Sequence, residues 1–255
     1  MPGWSKEELR KLALSAEEKR LIIMTTFGSG ALLAVIALVL LLLLCSLIEG
    51  NLFNVLVSFS WLSFIVERCY FVEYWYLYPI LFTALFISLM RIYERLVPGY
   101  TDMLITLRQG VNGELIRMPF WYYLCSMGFT NFFEELLFRV GLIGLLQYIV
   151  AFFLDPLSSS GVALVLSSIL FWYIHASYRT VGGALSTIPM ALALGWIYLY
   201  TGSLLVVFIT HLFYNLVVMY LERYQMKRDR NYFRGKVPST ILTDMQNEEV
   251  ESGKE

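Results

Sequence analysis

Charge is what this 255-residue chain has least of: 15% of its residues are charged, 58% are hydrophobic, and the mean hydropathy is +0.64. Soluble domains carry roughly 25% charged and about 45–50% apolar residues, and one soluble core of this size cannot bury the surplus. A bilayer is the solvent such a composition requires. Neither sign dominates, with 19 Lys+Arg against 20 Asp+Glu, so the footprint of a nucleic-acid partner is missing. Cysteine is scarce as well. Cys45, Cys69 and Cys125 lie in apolar stretches with neither CxxC nor zinc-ribbon spacing; they read as small hydrophobes and exclude a disulfide framework. The HExxH helix of the common zinc proteases is absent, and Gly110-Val-Asn-Gly113 lacks the basic residue and helix start of a phosphate loop. No internal repeat and no second soluble domain is visible.

What is present is a series of long apolar runs. Residues 21–48 contain no charge, exceeding both the ~20 residues a spanning helix needs and the roughly 7–15 of a secretory h-region. Leu44 before Cys45 is not the small residue of a lipoprotein cleavage site, so this run reads as a retained first span. Further segments are 52–66, 71–90 behind the aromatic belt of Tyr74, Trp75, Tyr76 and Tyr78, then 118–154, 161–178, 184–200 and 203–221. The stretch 118–154 is too long for one straight crossing. Ser158-Ser159-Ser160-Gly161 and Thr201-Gly202-Ser203 are the expected breaks. The fold class is therefore all-α, a polytopic transmembrane bundle of about six to eight membrane segments. Its expected parts are an amino tail 1–20, membrane segments and a basic loop over 21–117, a helix bundle over 118–221, and a polar tail 222–255.

Basic residues orient the bundle. The amino tail, the 91–117 loop, the Arg179 turn and the start of the carboxyl tail carry Lys and Arg, whereas 49–51, 154–160 and 200–202 carry none. If 52–66 dips into the bilayer and returns, six crossings remain and both termini lie in the cytosol, as the positive-inside rule asks. The tail is basic up to Lys236, suited to anionic lipid, and turns acidic and polar after Pro238, a composition expected to be disordered.

Between Met118 and Leu221 only five charges occur, and three of them fall within one six-residue window: Glu134, Glu135 and Arg139. Each costs about 2.5–3.5 kcal/mol near mid-bilayer. Glu135 and Arg139 are four residues apart and share a helix face, so they can pair. Glu134 points about 100° away without a partner on its own helix. One carboxylate reads as structural, the other as available. The chain's two histidines lie on two other spans, His175 four residues after Phe171 and His211 four before Asn215, each pair on one helical face. A lone histidine on an apolar helix is ordinarily a packing residue. Two histidines, two glutamates, an arginine and an asparagine on three otherwise uncharged spans call for a shared polar chamber.

Two chemistries suit such a chamber. A carboxylate beside an imidazole can take a proton from water and pass it to a leaving group, while a histidine next to an amide stabilises an oxyanion. Alternatively, Glu134, His175 and His211 form a carboxylate–imidazole set for a catalytic divalent metal, zinc, with an open water position. Both end in water attacking a carbonyl. Other readings are a buried salt bridge that only joins helices, and a proton- or ion-coupled transporter, although no inverted repeat or paired broken helix is evident.

Three motifs in order, Glu134-Glu135-Leu-Leu-Phe-Arg139, Phe171-Trp-Tyr-Ile-His175 and His211-Leu-Phe-Tyr-Asn215, resemble the EExxxR, FxxxH and HxxxN signature of the CPBP family. That family comprises the CAAX prenyl proteases and the bacteriocin-processing or self-immunity (ABI) proteins. The stretch from Gly195 to Leu204 is similar too, and the likeness covers about residues 118–221. The resemblance implies an intramembrane endopeptidase with a cavity open toward the cytosol and a membrane-associated peptide or protein substrate, prenylated in the best-known cases. It implies Glu134 as base, His175 as the residue that helps hold the water, His211 and Asn215 as the oxyanion site, and Glu135, Arg139 and Phe171 in support. Members have been discussed both as metalloproteases and as metal-independent glutamate proteases; Asn215 suits a donor role better than a ligand role, which favours glutamate-activated water with no cofactor. Val140 stands where the family often has glycine. A non-catalytic immunity or scaffold protein of the same fold is the remaining alternative. Gly28, Gly30, Gly141, Gly144, Gly182 and Gly183 are expected to allow close helix packing, and Pro189 is a candidate kink.

Overall fold

The computed structural model describes residues 14–97, 100, 115–175 and 181–228. The first thirteen residues, the Gly110–Gly113 turn with most of the 91–117 loop, the Arg179 turn and the tail from 229 onward lie outside the described residues.

Every regular element among the described residues is helical. Helix α1 (Ala16–Glu49) begins ahead of the apolar run because Ser15 closes a capping box with Glu18, and it stops at Gly50 in the left-handed region; this cap draws the charged residues 16–20 out of the expected amino tail and into the helix. Then come α2 (Leu52–Ser58) and α3 (Ser60–Val66), two short helices over the segment expected to dip, separated at Phe59 with φ 54°. Helix α4 (Leu77–Leu96) starts later than the apolar run and ends later. Helix α5 (Phe120–Glu135) continues into a π-helix (Leu136–Ile143) and α6 (Gly144–Val150), so the over-long stretch is one compound rod with a change of winding. Helices α7 (Pro156–Ile174), α8 (Val181–Thr201) and α9 (Leu204–Arg228) complete the bundle. Helix α9 runs seven residues past the apolar segment, so the start of the expected tail is helical. Pro189 lies inside α8, which remains one helix.

Ser158–Gly161 is not a break. Asp155 caps α7, accepting from Leu157 N at 3.0 Å and Ser158 N at 3.1 Å, with Pro156 in the first turn, a strong start signal. Ser159 and Ser160 donate back to Pro156 O, so their hydroxyls are satisfied within the helix. The Ser158 hydroxyl and the capped amides hold the Asp155 carboxyl below the usual carboxylate range.

Among the described residues five helices, α1, α4, α7, α8 and α9, are long and apolar enough to cross a membrane. Their burial pattern is that of an inside-out protein. On α7 the buried face carries Ala163, Ser167, Ser168 and Phe171, while Val165, Leu166, Ile169 and Leu170 are exposed. Apolar outside and partly polar inside is what lipid selects. The chain is thus an integral, polytopic helical membrane protein. Helix α1 packs on α5 and the π-helix, α9 on α4 and α5, and α7 on α8 and α6. Close approach is visible at Gly30 and Gly144, where a Cβ would meet Phe129 at 2.7 Å and Leu44 at 2.8 Å, and at Gly141 beside Leu40; Gly28, expected in the same role, faces open space.

The α8–α9 turn is latched to the segment before α4. Gly202 has φ +66°, and a Cβ there would sit 2.7 Å from Tyr70 Oη. That hydroxyl donates to Thr201 O at 2.5 Å, Ser203 Oγ donates to Tyr70 O, and Leu204 N donates to Arg68 O at 2.8 Å. Gly202→Ala is expected to cost about 1–2 kcal/mol from the left-handed backbone plus the clash with the Tyr70 hydroxyl. In a Tyr70→Phe background the penalty shrinks toward the backbone part alone. Thermal unfolding of the four proteins in detergent measures that coupling; an equal Gly202→Ala penalty in both backgrounds would show that the hydroxyl does not restrict the site.

Candidate active site

The site is assembled from three helices. Glu134 and Glu135 are the last residues of α5, Arg139 is on the π-helix, Phe171 is on α7, His175 caps its carboxyl end, and His211 and Asn215 are on α9. The structure brings all seven residues of the three motifs into one region, and it divides them into a sealed half and an accessible half.

The sealed half is a chain of charge-assisted hydrogen bonds. Arg139 Nε donates to Glu135 Oε2 at 2.7 Å, with both side chains at 0% exposure. Glu135 Oε1 lies 2.7 Å from His211 Nδ1. A carboxylate only accepts, so Nδ1 carries the hydrogen and Nε2 is left to face elsewhere. Arg139 Nη1 and Nη2 are buried without a hydrogen-bond partner among the described residues; the guanidinium lies 5.5 Å from the Phe171 ring centroid, a cation–π distance. Nearby, a Cβ at Gly195 would come within 2.4 Å of Leu164 Cδ1, so the missing side chain is what lets α8 approach α7 beside the guanidinium.

The accessible half is Glu134 and His175. Glu134 Oε1 and His175 Nε2 are 3.5 Å apart, with side chains 11% and 25% exposed. His175 Nδ1 is 2.6 Å from Phe171 O. A carbonyl only accepts, so Nδ1 bears the hydrogen and Nε2 is the ring atom turned toward the carboxylate. Glu134 and His175 thus face one another at ion-pair distance. Phe171 joins the halves, its ring 4.4 Å from the His175 ring and 6.4 Å from that of His211.

Helices α5 and α9 run antiparallel through the site, as the rungs Glu135–His211 and Asn131–Asn215 require. In the second rung Asn215 Nδ2 donates to Asn131 Oδ1 at 3.2 Å, and Tyr123 Oη donates to Asn215 O at 3.2 Å. Asn131, three residues before Glu134, has no role in the sequence reading; its signal was an amide in an uncharged span. Ser167 was also missed. Its hydroxyl donates to Phe138 O at 3.0 Å, tying the π-helix to α7. A π-helix inside a longer helix frequently marks a functional site, and Val140, buried within it, packs without disturbing a polar group.

A metal would need the Glu134, His175 and His211 donors together. Among the described residues no group of three His, Cys, Asp or Glu side chains gathers as a metal site. His211 gives Nδ1 to Glu135 and keeps Nε2 for another partner, an arrangement that suits a donor and a ligand alike.

No curated protein and no solved structure matches the chain significantly. Residues 116–217 match the family model described as type II CAAX prenyl endopeptidase Rce1-like, and they enclose the compound rod, α7, α8 and the part of α9 that carries the histidine and asparagine. Over those residues this polytopic membrane chain is similar to the Rce1-like type II CAAX prenyl endopeptidases.

Proposed function

We propose that the protein is an intramembrane endopeptidase in which Glu134 and His175 activate water to hydrolyse a peptide bond near the end of a membrane-associated substrate. The observation that carries this reading is the facing of Glu134 Oε1 and His175 Nε2 at 3.5 Å, with side chains 11% and 25% exposed, beside an ion pair at 0% exposure. A water held by both gives one proton to the Glu134 carboxylate as its oxygen bonds to the carbonyl carbon. The C=O π pair moves onto oxygen, where Asn215 Nδ2–H and protonated His211 Nε2–H donate to it. Collapse of that adduct breaks the C–N bond, and Glu134 returns the proton to the leaving nitrogen, which restores the carboxylate. Glu135 holds the His211 ring with its Nδ1–H inward, and Arg139 holds Glu135. Both termini lie on the cytosolic side in this reading, as the basic segments require.

The substrate class follows the family resemblance: a carboxyl-terminal motif on a prenylated cysteine. The test is cleavage of a fluorogenic peptide carrying farnesylated cysteine followed by three residues, with purified protein in proteoliposomes. Cleavage after the cysteine is expected, at a rate unchanged by exhaustive chelation with 1,10-phenanthroline. Loss of the rate on chelation and its return with zinc would overturn the side-chain-only water activation, and intact peptide with the untreated enzyme would overturn the substrate class.

A further inference from the structure

Asn131 is a polar side chain with half of its hydrogen-bonding capacity unspent in the interior. It is 1% exposed. Its Oδ1 accepts from Asn215 Nδ2, yet its own Nδ2 is buried without a partner among the described residues. Leaving a buried donor unmade costs about 1–3 kcal/mol, and such a group in a folded protein calls for an explanation. A leucine would satisfy packing at this depth with no such cost. Asn131 therefore holds a donor where the fold alone has no use for one.

Its position says what the donor can reach. Asn131 lies one helical turn before Glu134 and Glu135 on the same side of α5, and its rung to Asn215 is stacked one turn below the rung from Glu135 to His211. Asn215 spends one N–H on Asn131 and keeps the other. The two carboxamides are thus locked together, with both N–H groups of Asn131 and one of Asn215 uncommitted by that bond, alongside the proposed base.

The state of His211 adds a reason for a second amide. With its Nδ1 hydrogen turned to Glu135, His211 donates from Nε2 only as imidazolium. An amide N–H donates in every protonation state. We propose that Asn131 is a second amide donor to the carbonyl oxygen of the scissile bond, sharing it with Asn215, so that the oxyanion is held by two neutral groups whatever the charge on His211. This inference rests on the hydrolytic reading above. As the C=O pair moves onto oxygen, Asn131 Nδ2–H shortens its hydrogen bond to that atom; no proton is transferred and no bond to Asn131 forms.

The decisive variant is Asn131→Asp, which keeps an oxygen for Asn215 Nδ2 and replaces the proposed donor by a second acceptor. With the farnesylated peptide, kcat is expected to fall about 10²–10³-fold, the usual loss for one oxyanion donor, with kcat/KM falling in parallel because the contact is made only in the transition state. Wild-type kcat in Asn131→Asp would overturn the inference and leave Asn131 as an acceptor that merely positions Asn215. A second comparison does not depend on a buried acid folding: Asn131→Leu is placed in an Asn215→Leu background. A donor in its own right lowers kcat by a further factor of about 10 or more; a residue acting only through Asn215 lowers it no further, and that result also overturns the inference. Failure of the parent reading looks different, because wild-type protein would then leave the peptide uncut or Glu134→Gln would still cut it.

Discussion

Glu134→Gln is expected to lower the rate of peptide cleavage about 10²–10⁴-fold, the range that removal of a positioned general base produces, while the unfolding temperature stays within about a degree or two of wild type. The two halves of that expectation come from the same geometry. Glutamine matches the shape of glutamate but has no carboxylate to receive the proton of water. Glu134 is also the less enclosed of the two glutamates, its side chain 11% exposed where that of Glu135 is 0%, and its neighbour is His175 Nε2 at 3.5 Å rather than a buried guanidinium, so glutamine strands no charge there. Glu134→Asp makes the complementary point: the acid is retained but withdrawn by one methylene, and a displacement near 1 Å can cost on the order of 10²-fold. The measurement is kcat on the farnesylated peptide together with thermal unfolding in the same detergent. A Glu134→Gln protein that folds and cleaves at the wild-type rate would remove Glu134 from the mechanism. Catalysis would then have to be sought at His175 with another acceptor.

The different settings of these two carboxylates were legible in the sequence because helix geometry is periodic. A spacing of four from Glu135 to Arg139 predicts one shared face, and the structure has that pair at 2.7 Å; a spacing of one from Glu134 to Glu135 predicts divergence, and only Glu135 has a side chain at 0% exposure. The membrane character and the break at Thr201-Gly202-Ser203 were legible for equally local reasons, hydropathy and a glycine that tolerates a positive φ. What could not be read was long-range or depended on caps. No spacing within one helix tells which residue of α9 will face Glu135, so the His211 bond and the Asn131–Asn215 rung required the packed structure. The serines at 158–160 misled because the capping strength of Asp155, with Pro156 behind it, outweighs the turn preference of the serines that follow. The π-helix had no composition signature: Leu136–Ile143 is an ordinary apolar string, and its winding is visible only in where its backbone bonds go.

Arg139→Leu is expected to destabilise the bundle by about 3–5 kcal/mol, because it leaves the Glu135 carboxylate buried and uncompensated. Both side chains are fully enclosed, so water cannot re-solvate the stranded charge, and lipid outside the bundle offers less still. The double variant Glu135→Leu/Arg139→Leu behaves differently. Removing a buried pair together is often neutral or stabilising, and here it also removes Arg139 Nη1 and Nη2, two buried donors without partners among the described residues. Stability should return to within about 1 kcal/mol of wild type. Cleavage should not return, because His211 Nδ1 has then lost the acceptor that fixes its tautomer and ring plane, and an orienting partner of this kind is commonly worth 10²-fold or more. The pair of measurements therefore separates the ion pair as a helix-joining device from the ion pair as the support of a working histidine. If unfolding temperature and kcat recover together in the double variant, the Arg139–Glu135–His211 chain is structural only. If the unfolding temperature recovers alone, the cost of burying two charges in the bundle is explained by what Glu135 does for His211.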